Sequence, residues 1–364
     1  MKVFFHVQHL LGIGHLKRAA TLAAALEAAG FEVTLASGGM PVPGTRVLQL
    51  PPASSDAAFK QLVDENGNPV DDVWKARRRD ALVNAWLRSG ADVLMIELFP
   101  FGRRQMRFEL LPLLDEAKAR RHRPLIVCSA RDLIQWRPTR EPEMLDTFNR
   151  YFDRLLVHGD PKVASFNFGL SAKLAGKLHY TGYVANSIAK GDAGTGEVLV
   201  SAGGGAVGHP LLEAALAARP LTSLRERPWR LLAGINAREA DVVSLRQRAP
   251  AGVTVERSRA DFTARLANCV LSVSQAGYNT VMETLAARAR AVVVPFAGGG
   301  EAEQTMRTRL LVARGLVEMV EEEALNPRSL AGAIERAGAR PRPAPGDIDL
   351  DGAAKSARLL RQWL

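Results

Sequence analysis

A polar turn, Ser274 to Gly277, lies between an apolar run and the start of a helix. The run from Val270 to Val273 predicts a strand, and the stretch from about Asn279 to Ala289 predicts the helix that follows it. Small residues at such a turn leave backbone N–H groups open at the helix N-terminus, where the helix dipole also favours negative charge. We therefore expect Ser274 and Gly277 to contact a diphosphate.

A carboxylate follows one helical turn later. Glu283 lies beyond Asn279 and Thr280 at helical spacing, so the three side chains point to nearly the same side of the helix. A carboxylate in this place can accept hydrogen bonds from both hydroxyls of a ribose, which a site for phosphate alone would not need. These residue types predict a nucleotide site, with Asn279, Thr280 and Glu283 contacting the donor.

A second strand, Ala291 to Pro295, completes the unit. Its unbroken apolar sequence is typical of a strand that is buried on both faces of a parallel sheet. Strand, helix and strand in so short a stretch predict a right-handed βαβ unit, whose ligands gather at the carboxyl ends of the strands. There a loop containing Gly299 leads to Glu303 and Gln304, which offer an acceptor and a mixed donor and acceptor for sugar hydroxyls.

The ordered set resembles the donor half of the GT-B glycosyltransferases, most closely the MurG-like family with its glycosyltransferase family 28 C-terminal domain. The motifs are S-x-x-G-x-x-T-x-x-E from Ser274, then V-V-V-P-F, then E-x-x-Q ending at Gln304. The resemblance implies a bound UDP-sugar, with Glu283 holding the ribose and Gln304 touching the sugar. An ordinary Rossmann-like βαβ unit with a capped helix is the alternative, but it does not require the whole set.

The N-terminal loop, Gln8 to His15, follows a predicted strand from Lys2 to Val7 and precedes a predicted helix from Leu16 to Ala29. It is neither the G-x-G-x-x-G dinucleotide fingerprint nor a P-loop. Its Gly12-x-Gly14-His15 turn resembles the first-domain loop of the same GT-B family. The resemblance implies that the glycines let the backbone approach the donor and that His15 stands at the cleft. An imidazole that titrates near neutrality can take the acceptor's proton there.

Two carboxylates are expected near His15. Glu97 and Asp132 both lie at the carboxyl ends of predicted parallel strands, so either can orient His15 or serve as the base itself. A helix N-cap or an ion pair with Arg131 is the alternative for Asp132. His6 and His9 are three residues apart on an extended segment and point to opposite faces. We therefore expect neither a metal nor a cofactor.

A second glycine loop opens the C-terminal half. The predicted strand Glu197 to Ser201 runs into Gly203, Gly204 and Gly205, and a helix follows. A strand, glycine loop and helix in this order form a phosphate cradle. In a doubly wound sheet this loop lies beside the turn at Ser274.

The expected fold class is α/β of the GT-B type, with two Rossmann-like, doubly wound parallel-sheet domains facing across a cleft. A Gly-rich linker after Asn186 places the acceptor-side domain at 1–187 and the donor-binding domain at 188–345. The resemblance implies that the last helix, in 346–364, packs back on the first domain. The long segment from Met40 to Asp72 is expected to be a loop, serving as a lid or acceptor surface or forming a disordered excursion.

Composition limits the class of partner. The chain has 364 residues, a formal net charge of +10 and two cysteines, Cys128 and Cys269, with no apolar run of membrane-spanning length. Its basic clusters lack interleaved aromatic residues, which argues against nucleic acid. They are consistent with a solvated helix face or with an anionic or lipid-linked acceptor. A cytoplasmic protein, with peripheral contact at the inner face of the membrane, is the expectation.

These observations predict a hexosyltransferase that moves a sugar from a UDP-sugar resembling UDP-GlcNAc to an acceptor hydroxyl. The reaction is expected to invert the anomeric configuration and to need no metal. The motifs GIGHLKR, RDLI and KLHYTGYV resemble a bacterial branch of predicted GT-B glycosyltransferases rather than the cell-wall enzyme itself. A UDP-sugar hydrolase or a 2-epimerase of the same fold, and a non-catalytic nucleotide-sugar-binding subunit, are the alternatives. The sugar, the acceptor and the oligomeric state stay open.

Overall fold

The computed structural model describes residues 1–10, 12–55, 61–134, 138–164, 166, 170–203, 208–235, 237–298, 302–344 and 346–364. The chain divides into two compact units. Unit 1 comprises Met1–Val184 together with Asp351–Leu364, and unit 2 comprises Ala185–Leu350. Composition places the corresponding boundaries at 187/188 and 345/346.

Unit 1 alternates strands and helices. Its strands are β1 (Lys2–Val7), β2 (Glu32–Ser37), β3 (Leu48–Gln49), β4 (Ser54–Ser55), β5 (Leu62–Val63), β6 (Val93–Glu97), β7 (Leu125–Arg131), β8 (Arg154–His158) and β9 (Leu178–Tyr180). Its helices are α1 (Gly14–Ala28), α2 (Asp72–Ser89), α3 (Arg107–Ala119), α4 (Glu141–Tyr151), α5 (Leu170–Lys173) and, from the end of the chain, α12 (Gly352–Trp363). Seven strands form one parallel sheet in the order β3-β2-β1-β6-β7-β8-β9, while β4 and β5 make a separate antiparallel pair.

The central strands of this sheet are covered on both faces. In β1, Phe4 packs into one hydrophobic cluster, whereas Val3 and Phe5 pack into the cluster on the opposite face. Successive side chains of a strand point to opposite faces, so an apolar strand without polar alternation needs helices on both sides. The helical layers satisfy this requirement on either side of β1.

Unit 2 repeats the architecture with fewer strands. Its strands are β10 (Val198–Ser201), β11 (Trp229–Ala233), β12 (Val253–Arg257), β13 (Leu271–Gln275), β14 (Ala291–Val294) and β15 (Glu318–Met319). Its helices are α6 (His209–Ala218), α7 (Glu239–Arg248), α8 (Phe262–Asn268), α9 (Tyr278–Ala286), α10 (Glu303–Val312) and α11 (Pro327–Ala339). All six strands are parallel, in the order β12-β11-β10-β13-β14-β15.

Each sheet has one point at which the strand order reverses. In unit 1 it lies between β1 and β6, and in unit 2 it lies between β10 and β13. The loops that leave two such strands diverge to opposite faces and open a crevice at the carboxyl ends, where doubly wound proteins bind their ligands. The predicted α/β class with two doubly wound parallel sheets is confirmed by these strand orders.

The last helix belongs to unit 1. Ala357 and Leu360 of α12 are buried in the same cluster as the apolar face of α1, and Arg361 donates to the carbonyl of Ala29 at the end of α1. At the other end of α12, the N–H of Gly352 donates to the carbonyl of Tyr183 at 3.0 Å. The final helix is thereby anchored at both ends within unit 1.

Two predicted loops of unit 1 differ from the structure. The helix α1 begins at Gly14 rather than Leu16, so His15 lies in its first turn and not in the preceding loop. The segment predicted as one long loop from Met40 to Asp72 contains β3 and the β4–β5 pair. In the described part of the chain, no helix is both long enough and apolar enough to cross a bilayer.

Candidate functional site

His15 and Glu97 meet at the crevice of the first sheet. The Nδ1 atom of His15 lies 2.7 Å from Oε1 of Glu97, although 82 residues separate them in the chain. Glu97 ends β6, which pairs directly with β1, and His15 follows β1 in the first turn of α1. The side chain of His15 is 16% exposed and that of Glu97 only 1%. The carboxylate therefore lies beneath a partly accessible imidazole.

Arg18 completes this group. It lies one helical turn beyond His15 on α1, its side chain is buried, and its guanidinium donates to the same oxygen of Glu97. The guanidinium also lies 3.3 Å from Nδ1 of His15. A buried carboxylate is stable as an ion only when it is paired, and Arg18 supplies the charge.

The charge state of the pair follows from its surroundings. Burial is the largest influence on His15 and lowers its pKa to about 3, although Glu97 opposes the shift. The near-neutral titration expected from the sequence is therefore wrong. Burial would raise the pKa of Glu97, but His15 and the cations Arg18 and Arg103 outweigh it and hold that pKa below its usual range. The resting pair is a neutral imidazole that donates Nδ1–H to an ionised carboxylate. Its Nε2 atom has no hydrogen bond among the described residues, so the imidazole can accept a proton there.

Asp132 lies in a different environment. It follows β7, is fully buried, and its Oδ2 atom accepts a hydrogen bond from the hydroxyl of Tyr183 at 3.2 Å. Gly159 packs against it so closely that a Cβ there would lie 2.6 Å from the Cβ of Asp132. Within the described residues, His15 shares no hydrogen bond with Asp132. Of the two predicted carboxylates, the geometry pairs Glu97 with the imidazole.

The crevice of the second sheet contains Gly203 and Gly277, one residue from each of the two predicted phosphate loops. The helix α9 starts after Gly277, which provides no side-chain cap, and a Cβ at Gly277 would meet no atom within 4 Å. The first N–H groups of a helix have no partner inside the helix, so an uncapped start can bind an anion. Gly203, with φ +70°, lies against the first turn of α9, because a Cβ there would lie 3.8 Å from Oγ1 of Thr280. Gly203, which begins the second glycine loop, therefore lies beside the start of α9.

Glu283 and Gln304 have partners of their own. Glu283 is 8% exposed, and its Oε1 accepts a hydrogen bond from Nδ2 of Asn186 at 2.5 Å. Gln304, at the start of α10, accepts a hydrogen bond from the N–H of Phe296 at its Oε1, at 3.1 Å. The amide oxygen of Gln304 is thus engaged with the loop after β14. Its NH₂ group is the part that can donate to a ligand.

The other predicted residues fall into three groups. Ser274 is fully buried inside β13, which ends at Gln275, so it belongs to the strand and not to the predicted polar turn. Asn279 and Glu303 lie in the first turns of α9 and α10. Gly14 is the first residue of α1, and the position of Gly12 has open space around it. Gly204, Gly205 and Gly299 lie outside the described residues. Among the described residues, no group of three or more His, Cys, Asp or Glu side chains is arranged to hold a metal ion.

Residues 205–344 match the model of the glycosyltransferase family 28 C-terminal domain. The match lies within unit 2. A curated relative is the UDP-N-acetylglucosamine--N-acetylmuramyl-(pentapeptide) pyrophosphoryl-undecaprenol N-acetylglucosamine transferase of Erythrobacter litoralis (strain HTCC2594), 35% identical over 81 residues. That stretch is 22% of this chain, and it spans only 20% of the curated relative's own length.

Solved structures match nearly the whole chain. The glycotransferase of kitacinnamycin has a TM-score of 0.63 at 15% identity, covering 100% of this chain and 99% of its own. The MurG of Acinetobacter baumannii has a TM-score of 0.59 at 14% identity, and the match covers 98% of this chain and 94% of that one. The spinosyn rhamnosyltransferase SpnG complexed with thymidine diphosphate has a TM-score of 0.62 at 16% identity, and the match covers 100% of both chains. The chain has the GT-B fold, as predicted.

Sequence reasoning missed two residues of these sites. Arg18 was visible only as one of several basic residues in GIGHLKR, where a solvated cation is the usual expectation. Asn186 precedes the family 28 match and lies in a segment that reads as a linker. The helical spacing of His15 and Arg18 was a usable signal, whereas nothing local marks Asn186 as a partner of Glu283.

Proposed function

We propose that this chain is a glycosyltransferase that moves a sugar from a UDP-sugar, with UDP-GlcNAc as the leading donor, to an acceptor hydroxyl. The observation that carries the proposal is the 2.7 Å contact between Nδ1 of His15 and Oε1 of Glu97. A nucleotide-binding subunit has no need for an oriented, partly accessible imidazole. A transferase needs one, because the acceptor hydroxyl must lose its proton as it attacks.

On the acceptor side, His15 is the base in this proposal. The acceptor oxygen forms a bond to the anomeric carbon while its proton moves to Nε2 of His15. The bond from the anomeric carbon to the diphosphate oxygen breaks, and UDP leaves with the electron pair, so the anomeric configuration is inverted. Glu97 keeps Nδ1 protonated and stabilises the imidazolium that forms.

On the donor side, charge develops on the departing diphosphate. In this proposal the N–H groups at the start of α9 and the loop that begins at Gly203 bind that charge, in place of a metal ion. Glu283 accepts from the ribose hydroxyls, and the NH₂ group of Gln304 donates to the sugar. The family 28 match and the name of the curated relative, a UDP-N-acetylglucosamine-dependent transferase, support a UDP-sugar.

We propose an anionic or lipid-linked acceptor. The net charge of +10 favours an anion, and the name of the curated relative specifies a pyrophosphoryl-undecaprenol acceptor. A cytoplasmic protein in peripheral contact with the inner membrane face would meet such an acceptor. The two alternatives of the same fold, a UDP-sugar hydrolase and a 2-epimerase, use the same donor site and differ in what reaches the anomeric carbon.

The test combines a binding assay with a turnover assay. UDP release from UDP-GlcNAc, UDP-Glc and UDP-Gal is measured alone and with alkyl glycosides and alkyl phosphates as acceptors, and the products are identified by mass spectrometry. We expect a phosphate-bearing acceptor to raise UDP release and to become glycosylated. His15→Asn is expected to lower kcat about 10²- to 10⁴-fold while the Kd for UDP changes less than about twofold. His122→Asn, at an exposed position, is the matched control.

Each alternative has its own signature in this experiment. Fast UDP release that no acceptor increases, with free sugar as the product, identifies a hydrolase. Recovery of a sugar inverted at C2 identifies an epimerase. UDP binding with no turnover beyond that of His15→Asn identifies a binding subunit, and each of these results overturns the transferase proposal.

A further inference from the structure

Glu283 is held by a side chain from outside its own helix. Nδ2 of Asn186 donates to Oε1 of Glu283 at 2.5 Å, across 97 positions of the chain. Both residues belong to unit 2, where Glu283 is buried in α9 and Asn186 is half-buried in the segment that enters the unit. A short hydrogen bond to an ionised acceptor is among the stronger polar contacts in a protein.

The segment around Asn186 is itself fixed to unit 2. The N–H of Ala189 donates to Oγ1 of Thr263 at 3.1 Å. Nδ2 of Asn268 donates to the carbonyls of Gly191 and Ala193, at 2.7 and 3.1 Å. The amide of Asn186 therefore projects from a backbone that is tied to α8, which makes it a firm support rather than a mobile contact.

The side-chain amide of Asn186 is well suited to orienting the carboxylate of Glu283. A carboxylate that accepts two neighbouring hydroxyls must keep both oxygens in one plane facing them, and a free glutamate side chain samples several rotamers. A lysine or arginine at position 186 would restrict the rotamer too, but it would also neutralise the charge that strengthens the bonds to the hydroxyls. Asparagine restricts Glu283 and leaves its charge in place.

We propose that Asn186 is a positioning residue of the donor site, holding the Glu283 carboxylate in the orientation that accepts both the 2′- and the 3′-hydroxyl of a ribonucleoside diphosphate. The chain thereby selects ribonucleotide over deoxyribonucleotide donors. This inference rests on the proposed function, because it assigns the same site. It adds a residue outside the matched range 205–344 and a criterion for the nucleoside.

The experiment measures the Kd of UDP and of 2′-deoxy-UDP by calorimetry. Wild type is expected to bind UDP about tenfold more tightly, the value of one well-made hydrogen bond to a charged group. Asn186→Ala is expected to weaken UDP binding about fivefold and to leave 2′-deoxy-UDP nearly unchanged, so the ratio of the two constants falls towards one. In a Glu283→Ala background the same substitution is expected to change neither constant.

Asn186→Asp separates positioning from packing. Aspartate has the shape of asparagine, so a residue that only fills space would tolerate it, whereas a second carboxylate beside Glu283 repels the first. We expect Asn186→Asp to bind UDP more weakly than Asn186→Ala does. Asn268→Ala is the control, because it loosens the same segment and is expected to lower Tm without changing the UDP to 2′-deoxy-UDP ratio.

The possible results separate the inference from the proposed function. An Asn186→Ala protein with lower Tm and an unchanged ratio overturns the inference, as does an Asn186→Asp protein that binds like wild type. Wild-type binding of UDP that depends on Glu283 keeps the donor site intact in either case. Wild-type protein that binds no uridine nucleotide overturns the proposed donor site, and the inference with it.

Discussion

At the scale of single residues, the crevice of the sheet in unit 1 is defined by the buried carboxylate of Glu97 and the two side chains that contact it. Glu97 is buried between His15 and Arg18, and both contact its Oε1 atom. The imidazole alone is a poor counter-charge, because burial lowers its pKa to about 3. Arg18, together with Arg103, is therefore a cation that keeps Glu97 ionised, and Glu97 in turn fixes the ring that we propose as the base.

These contacts predict that removing the Arg18 guanidinium strongly lowers the free energy of unfolding. Arg18→Met leaves the buried carboxylate of Glu97 without the guanidinium that donates to it and is expected to lower the free energy of unfolding by about 3 kcal/mol, measured by urea titration. The double variant Arg18→Met/Glu97→Gln removes both charges and is expected to recover part of that loss. Arg77→Met, at an exposed position of α2, should cost less than about 0.5 kcal/mol. Equal costs for Arg18→Met and Arg77→Met would contradict the assignment.

At the scale of elements, close backbone approach decides how the final helix is seated. A Cβ added to Gly352, at the start of α12, would lie 2.3 Å from the carbonyl oxygen of Gly182 and 2.7 Å from that of Tyr183. Both obstacles are backbone atoms, and Tyr183 is fully buried, so neither can move aside cheaply. Only glycine allows α12 to begin where it does.

The expected consequence is a destabilised unit 1 in the Gly352→Ala protein. Overpacking of this kind costs about 1–3 kcal/mol, which should appear as a lower Tm in calorimetry and as earlier proteolysis of the C-terminal helix. Gly176→Ala is the matched control in the same unit, because nothing lies within 4 Å of a Cβ there. A Gly352→Ala protein as stable as Gly176→Ala would show that α12 can shift without cost.

At the scale of the whole molecule, unit 1 contains several histidines that burial keeps neutral. The pKa of His6, of His15 and of His158 is lowered in each case to about 3, with burial as the largest cause. The charges around them are mixed: Arg78 lowers the pKa of His6 and Arg18 that of His158, while Glu97 raises all three. Burial therefore decides the direction.

This arrangement predicts acid sensitivity with a defined sign. The unfolded chain binds protons at these histidines near pH 6.5, whereas the folded chain does not. Their contribution to the free energy of unfolding is therefore fully present above that pH and is lost as the pH drops towards 3. We expect Tm to decrease steadily from pH 7 to pH 4. His158→Gln should reduce the slope of stability against pH by up to about one proton. A flat profile in this range would show that the three histidines titrate normally.

Much of the fold could be predicted from sequence, because strand and helix patterns are local. Val292 to Val294 have no polar alternation, and β14 is indeed buried on both faces. The same patterns place Glu97 and Gly277 at the carboxyl ends of strands, where ligands gather in this class of sheet. Helix starts were less accurate: α1 begins at Gly14, because its first turn needs no capping side chain and so has no sequence signal.

By itself, then, the sequence determined two doubly wound sheets, the loops at their crevices and the residue types within those loops. Only the tertiary structure decided which of those residues act together: Glu97 rather than Asp132 meets His15, Arg18 shares its charge, and Asn186 reaches Glu283. The physical reason is that backbone pattern is encoded by neighbours in the chain. Side-chain partnership depends instead on which strands lie side by side and on which rotamers the surrounding packing allows.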